Sequence, residues 1–170
     1  MNTEDTLHPT QTAPRVLTDE MIEEIRELLP RYPSRQAVTL PALHVVHERL
    51  RQVPPQAVLE IAELLDVAPS QVQDTLTFYG FFKQDAPYGR VRVWLCRSIS
   101  CHLRGADELL AYLCERTGIQ PGNTTRDGGL TVEFAECLGA CEQAPCALAG
   151  DTLYACLTKE KLDQLLESWK

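Results

Sequence analysis

Apolar residues in the first half of the chain recur every three or four positions. After Thr18, Met21, Ile22, Ile25, Leu28 and Leu29 fall at helical spacing. Thr18 is the predicted N-cap, and Asp19 and Glu20 sit where a helix dipole favours negative charge. Pro30 and Pro33 are expected to stop that helix. A second helix is predicted over about 41–51, with Leu43, Val46 and Leu50 on one face, broken by Val53-Pro54-Pro55. A third is predicted over about 55–65, carrying Val58, Ile61, Ala62 and Leu65. A fourth is expected to start at Ser70, where Ser70 and Gln73 read as a capping box. It leads into an aromatic exit, Phe78-Tyr79-Gly80-Phe81-Phe82, expected to pack on the second domain or on a partner.

Beyond the turn-rich Asp85-Ala86-Pro87-Tyr88-Gly89, the period changes to two. Arg90 to Leu95 alternate as a half-buried strand that ends at Cys96. A helix is predicted over about 103–117, stopped by Gly118. Asp127-Gly128-Gly129 forms a turn before a second strand through Leu130, Val132 and Phe134, which is expected to end at Cys137. Ala147–Ala149 and Thr152–Leu157 flank Gly150-Asp151 as a tight hairpin, and Thr158 caps a final helix. The order strand, helix, strand, strand, strand, helix predicts a small α/β layer with one helix-linked parallel pair. The fold class is therefore α+β, with a disordered tail over 1–17, a helical bundle over 18–84 and an α/β domain over 85–170. No internal repeat or low-complexity tract interrupts it.

The 170 residues suffice for one domain or two small ones, and 44% hydrophobic with 24% charged residues is ordinary for a folded chain. No run approaches the ~20 apolar residues of a membrane span, and the opening MNTEDTLHPTQTAPR does not read as a secretory signal. A net charge of −8 disfavours phosphate backbones. This weighs against DNA reading by the segment 55–80, which resembles a helix-turn-helix but has no Arg or Lys in the would-be recognition helix, 71–80.

Cysteine usage changes the picture. All seven cysteines lie from Cys96 onward, and an odd number cannot form a complete intramolecular disulfide framework. In a reducing compartment, spaced cysteines point to metal or catalysis. Four of them occupy two short loops that each follow a predicted strand: Cys96-Arg-Ser-Ile-Ser-Cys101 and Cys137-Leu-Gly-Ala-Cys141. If the strands are parallel, both loops leave the same sheet edge and the thiols meet. Four thiolates suit tetrahedral zinc or an iron–sulfur cluster. The gaps are looser than a zinc knuckle, and a [2Fe–2S] cluster divides its ligands between two irons. The spacing favours the cluster, with zinc and unliganded thiols remaining as alternatives. Gly139 permits a positive φ that brings N–H groups towards sulfur, Ser98 and Ser100 add small donors, and Arg97 or Arg104 offers positive charge.

The run Asp127-Gly-Gly-Leu-Thr131 … Cys137-Leu138-Gly139-Ala140-Cys141-Glu-Gln-Ala144-Pro145 closely resembles the signature of the small [2Fe–2S] subunit of NADH:quinone oxidoreductase, the E-type or 24-kDa-type family of respiratory complex I. Cys96-x4-Cys101 matches that family's first ligand pair, and the helical segment ending Thr77-Phe78-Tyr79 extends the resemblance back to about residue 18. Leu130 departs from the Phe usual there, a change expected to affect packing alone. The resemblance implies a thioredoxin-like [2Fe–2S] ferredoxin domain behind the helical bundle, with Cys96, Cys101, Cys137 and Cys141 as cluster ligands. It also implies an electron-transfer subunit, not catalytic alone, of an NADH dehydrogenase complex of the respiratory chain. Its partner would be a flavoprotein subunit that binds FMN and NADH, together with the rest of the peripheral arm. The location implied is cytoplasmic, held at the inner face of the cell membrane through the complex, with no nucleic acid and no direct membrane insertion. A homodimer of the isolated chain stays open. The same cluster subunit also serves NAD-dependent formate dehydrogenases and NAD-reducing hydrogenases, and a zinc-stabilised assembly module without redox role is the alternative of another class. No Gly-x-Gly-x-x-Gly follows a strand here, in keeping with NADH binding on another subunit.

The remaining candidates have plainer readings. Cys114, Cys146 and Cys156 fit as buried small hydrophobes, although Cys146, five residues past Cys141, is the nearest reserve should a ligand be lost. His44 and His47 share a helix face without a nearby acidic or cysteine partner and are expected to be solvated or capping. His102 is expected to be exposed at a helix start. Pro145 occupies the place that often holds a cis proline in thioredoxin-like folds, and the sequence leaves cis and trans open. A thioredoxin-type dithiol needs Cys-x-x-Cys, which no pair here provides.

Overall fold

In the computed structural model, which describes residues 14–169, the chain divides into two compact units, one running to Ala86 and the other from Pro87. The first is all helical. Helix α1 spans Asp19–Leu28, and the Thr18 hydroxyl accepts from the Met21 N–H at 3.3 Å, the predicted cap. Pro30 does not end the helical path at once. It is absorbed into a 3-10 turn, Leu29–Arg31, in which its missing N–H costs little. Helix α2 spans Thr39–Leu50 and starts earlier than predicted, because a 3-10 turn at Gln36–Val38 feeds it. Helix α3 spans Pro55–Leu65, with Pro55 at its first position.

Helix α4 spans Pro69–Phe78 and corrects the predicted cap. The helix opens before Ser70, with Pro69 at its first position. The reciprocal bond comes from Gln71, whose side-chain oxygen accepts from the Ala68 N–H at 3.0 Å. Proline's preset φ outweighs the hydroxyl signal one residue later.

Met21, Ile25, Val38, Leu43, Val46, Ile61, Leu65, Val72 and Leu76 fill the core of this unit. Each large apolar side chain buried there contributes about 1.5–3 kcal/mol. Three further expectations need correction. The tail does not extend to residue 17: Leu17 is buried, and the Val16 and Leu17 N–H groups donate to the Glu60 carboxylate at 2.9 and 2.8 Å. The rest of the predicted tail, residues 1–13, lies outside the described residues. His47 is 5% exposed, not solvated, and its Nε2 accepts from the Lys83 N–H. The end of the aromatic exit packs on the bundle itself, with Phe82 buried against the His44 and His47 rings and Phe81 against His44. Phe78 remains 80% exposed.

The second unit is a four-stranded sheet with helices. Strand β1 (Val91–Cys96) pairs in parallel with β2 (Leu130–Ala135) and antiparallel with β3 (Ala147–Ala149), which pairs with β4 (Thr152–Tyr154), giving the order β2-β1-β3-β4. The parallel pair is the one the sequence predicts, but β2 ends at Ala135 rather than at Cys137. Its crossover holds two helices where one is expected, α5 (Ile99–Leu103) and α6 (Ala106–Thr117), separated by Gly105 at φ +88°. The predicted fourth strand stops at Tyr154, not Leu157, because Cys156 takes φ +49° and bonds through its N–H to the Gln143 carbonyl. Helix α7 (Lys159–Ser168) is capped by Thr158, as predicted, with Lys161 N–H donating to its hydroxyl. Val93, Leu95, Leu113, Val132, Leu157 and Leu162 form the core. Among the described residues, no helix is long and apolar enough to cross a membrane.

Candidate metal centre

Parallel pairing fixes the place of the cysteine loops. Cys96 is the last residue of β1 and stands in register with Ala135, the last residue of β2. Both strands therefore deliver their loops to one sheet edge. Ser98 precedes α5, whose first turns carry Cys101 inward, so that Cys96 and Cys101 are both buried. On the neighbouring loop Gly139 adopts φ +79°. Its N–H thereby points back to the Cys137 sulfur at 3.4 Å, the approach the glycine predicts. The Cys137 and Cys141 Sγ atoms are 3.4 Å apart and both residues are exposed.

A fifth thiol joins the buried pair. Cys146 is 1% exposed, and its Sγ lies 3.8 Å from that of Cys101. The Cys96, Cys101 and Cys146 sulfurs all lie within 4.8 Å of one another. The cause is strand pairing: the Cys96 N–H donates to the Cys146 carbonyl, so the lead-in to β3 runs beside the end of β1. Cys146 is thus buried, as its sequence reading expects, but at the candidate centre. Pro145 just before it is joined to Ala144 by a cis peptide bond. Cys114 is half-buried on α6, and Cys156 is exposed, which corrects its expected burial.

The thiols differ electrostatically. Burial pushes Cys96 up, but the N–H groups of Ser98 and Leu138, with the Cys101 and Cys146 thiols, reverse this and hold it below the usual thiol range. Leu138 belongs to the second loop, so one loop stabilises a thiolate on the other. Burial raises Cys101, and its bond to Cys96 raises it further. Burial, then Cys101, push Cys146 up to about 12. Cys141 is raised first by its bond to Cys137, while the Ser100 side chain works in the opposite direction. Of the two predicted serine donors, Ser98 acts through its backbone and Ser100 through its side chain.

Surrounding charge is modest. Arg97 is turned to Glu136 by hydrogen bonds from Nε and Nη2, and Arg104 reaches the Ala144 carbonyl at 3.4 Å. His102 is exposed, as expected, and bonds to Asp107 at 2.9 Å.

Soft sulfur donors of this kind select zinc or iron–sulfur chemistry. The seven cysteines are free thiols, and 3.4 Å is far beyond the ~2.05 Å of a disulfide. Four sulfurs around one tetrahedral ion at about 2.3 Å would all lie about 3.8 Å apart. Among the described residues only Cys96, Cys101 and Cys146 form a group of three, with sulfurs within 4.8 Å of one another, and Cys137 and Cys141 fall outside that group. The three buried sulfurs therefore form a group able to hold a metal ion, and the exposed Cys137–Cys141 pair lies on the neighbouring loop outside that group. Sequence reading found both pairs and missed that Cys146 joins the first. Its proximity to Cys101 comes from the pairing of β3 with β1, for which no local pattern codes.

Residues 25–170 match the thioredoxin-like [2Fe–2S] ferredoxin family. This chain belongs to that family. It is 39% identical to an E-type subunit of NADH-quinone oxidoreductase from Rhizobium meliloti, over 88% of this chain and 89% of that one. It is 36% identical to NADH-quinone oxidoreductase subunit 2 of Thermus thermophilus, over 87% and 83%. The E-type subunit of the Escherichia coli NADH-quinone oxidoreductase is 34% identical over 87% and 89%. Among solved structures, an NAD+-reducing [NiFe]-hydrogenase in the air-oxidized state superimposes with a TM-score of 0.66 at 30% identity, over 77% of this chain but only 22% of that one. The helical bundle followed by the cysteine-bearing sheet is thus the architecture of an E-type ferredoxin subunit, a component of an enzyme complex rather than an enzyme by itself.

Proposed function

We propose that Cys96, Cys101, Cys137 and Cys141 hold a [2Fe–2S] cluster, and that the chain is an electron-transfer subunit of the NADH-oxidising arm of a respiratory NADH:quinone oxidoreductase. When bound, the cluster supplies reversible one-electron transfer, here with FMN on a partner flavoprotein subunit that also binds NADH. The observation that carries this reading is the sorting of the four thiols into a buried pair and an exposed pair on adjacent loops. That arrangement supports two metals with one pair each, and it counts against a zinc-stabilised module built on the same four residues.

The chain's own groups have defined tasks. The Ser98 and Leu138 N–H groups donate to Cys96, and the Gly139 N–H donates to Cys137. Such donors stabilise negative charge on sulfur and help set a potential. Ala106, Ala140, Ala144 and Leu138 exclude water from the buried side. The exposed pair faces the surface, where a partner's redox group can approach.

The decisive experiment is anaerobic purification followed by iron, labile sulfide and zinc analysis. About two irons and about two sulfides per chain are expected, EPR-silent when oxidised and half-integer-spin when reduced. One zinc with no sulfide, also after reconstitution, would sink the proposal. Kinship to the hydrogenase structure favours a second reading, in which the same centre serves an NAD-reducing hydrogenase or a formate dehydrogenase. Chains that co-purify from the native cell distinguish the parent complexes.

A further inference from the structure

We infer that Cys146 is a fifth thiol of the centre, able to take over as an iron ligand on the buried side when Cys101 is lost. The inference rests on the cluster reading above and assigns a role to a residue outside its ligand set.

Three observations carry it. First, the Cys146 and Cys101 sulfurs are 3.8 Å apart. That matches the edge of a tetrahedron of thiolates around one metal at about 2.3 Å. The two sulfurs thus already stand as neighbouring ligands of one iron would, and Cys146 needs only a small rotation into the volume that Cys101 vacates. Second, Cys96, Cys101 and Cys146 form the one group of three candidate ligands among the described residues, so Cys96 with Cys146 reproduces a pair on the same side. Third, Cys146 is anchored. Its carbonyl accepts from the Cys96 N–H at 3.1 Å and β3 follows directly, so its sulfur stays at the site without Cys101. The thiol is buried, in hydrogen-bond contact with the Cys101 sulfur.

The exchange balances without an electron donor or acceptor. The Cys146 S–H gives its proton to solvent as its sulfur bonds to iron, and no group changes oxidation state. The reserve is one-sided: among the described residues, no third cysteine groups with Cys137 and Cys141. Replacing an outer ligand therefore has no substitute at hand, whereas replacing Cys101 does.

The test uses the full chain, loaded under anaerobic iron and sulfide, with metal and sulfide content, visible spectrum and far-UV circular dichroism as readouts. Cys101→Ala is expected to keep about half or more of the wild-type iron and sulfide with an all-thiolate spectrum. Cys101→Ala/Cys146→Ala is expected to fall about tenfold or more. Cys101→Ala/Cys114→Ala, the control, should behave as Cys101→Ala, and Cys137→Ala should be as depleted as the Cys101/Cys146 pair. A folded Cys101→Ala as empty as that pair overturns the inference, as does a pair that retains what the single variant retains. Where Cys101→Ala does not fold, Cys101→Ser decides. An all-thiolate spectrum that is lost on adding Cys146→Ala supports the exchange. Blue-shifted bands of a serine-ligated cluster, no cluster, or a second failure to fold each count against it. A wild-type chain that takes up no cluster would instead remove the functional reading itself, so the two failures are distinguishable.

Discussion

Gly139 shows how much one backbone angle decides. At φ +79° a Cβ would meet no atom within 4 Å, so the case for glycine is conformational rather than steric. An L-residue held in the left-handed region costs roughly 1–2 kcal/mol. Gly139→Ala is therefore expected to lower the stability of the metal-free chain by about that amount in urea unfolding. Relaxation of its φ would also withdraw the N–H from the Cys137 sulfur, and slower cluster uptake under reconstitution is the second readout. A variant as stable and as readily loaded as wild type would show that the bond is incidental. Residue identity at this position was legible, since glycine between two close cysteines points to a turn that turns N–H groups on sulfur. Cys146 was legible as a buried cysteine and as the nearest reserve after Cys141, but not as the neighbour of Cys101.

At the scale of elements, Glu60 couples the segment before α1 to α3. Burial pushes its carboxyl up, but bonds from the Leu17 and Val16 N–H groups, and from Gln56, bring it below its ordinary value of 4.5. A carboxyl lowered in the folded state makes the unfolded state bind protons first as pH falls. Its contribution is then complete above about pH 4.5 and is lost as pH drops through the lower folded value. Glu60→Gln is expected to lower stability at neutral pH, to flatten the acid limb of a pH–stability curve, and to raise hydrogen exchange at the Val16 and Leu17 amides. Equal acid limbs in the two proteins would refute this role. The elements themselves follow their local signals closely: Thr18 and Thr158 cap where predicted, and Pro55 opens α3. Departures arise where a second signal competes, as with Pro69 against Ser70, or Gly105 within a run of helical periodicity.

For the whole molecule, the exposed Cys137–Cys141 pair and a net charge of −8 bear on assembly. A partner that meets the cysteine edge has to bring its redox group close to those sulfurs. Affinity purification from the native cell is expected to return a flavoprotein chain with bound FMN, and NADH added to that complex should reduce the centre. Purified alone, the chain should show no reduction by NADH. If the isolated chain is reduced directly by NADH, the assignment of NADH binding to a partner fails.

The sequence by itself determined the elements and the two cysteine loops. Periodicity, caps and proline or glycine stops act over a few residues, and Cys-x4-Cys and Cys-x3-Cys placed after strands mark loops at a common edge once the strands run parallel. Only the tertiary structure decided which side chains meet across long separations. Leu17 is held by a carboxylate of α3, His47 is buried against Phe82 and Lys83, and Cys146 lies beside Cys101 because β3 docks antiparallel on β1. These contacts depend on which apolar faces and strand edges fit together, a property of the packed chain that no short window of residues encodes.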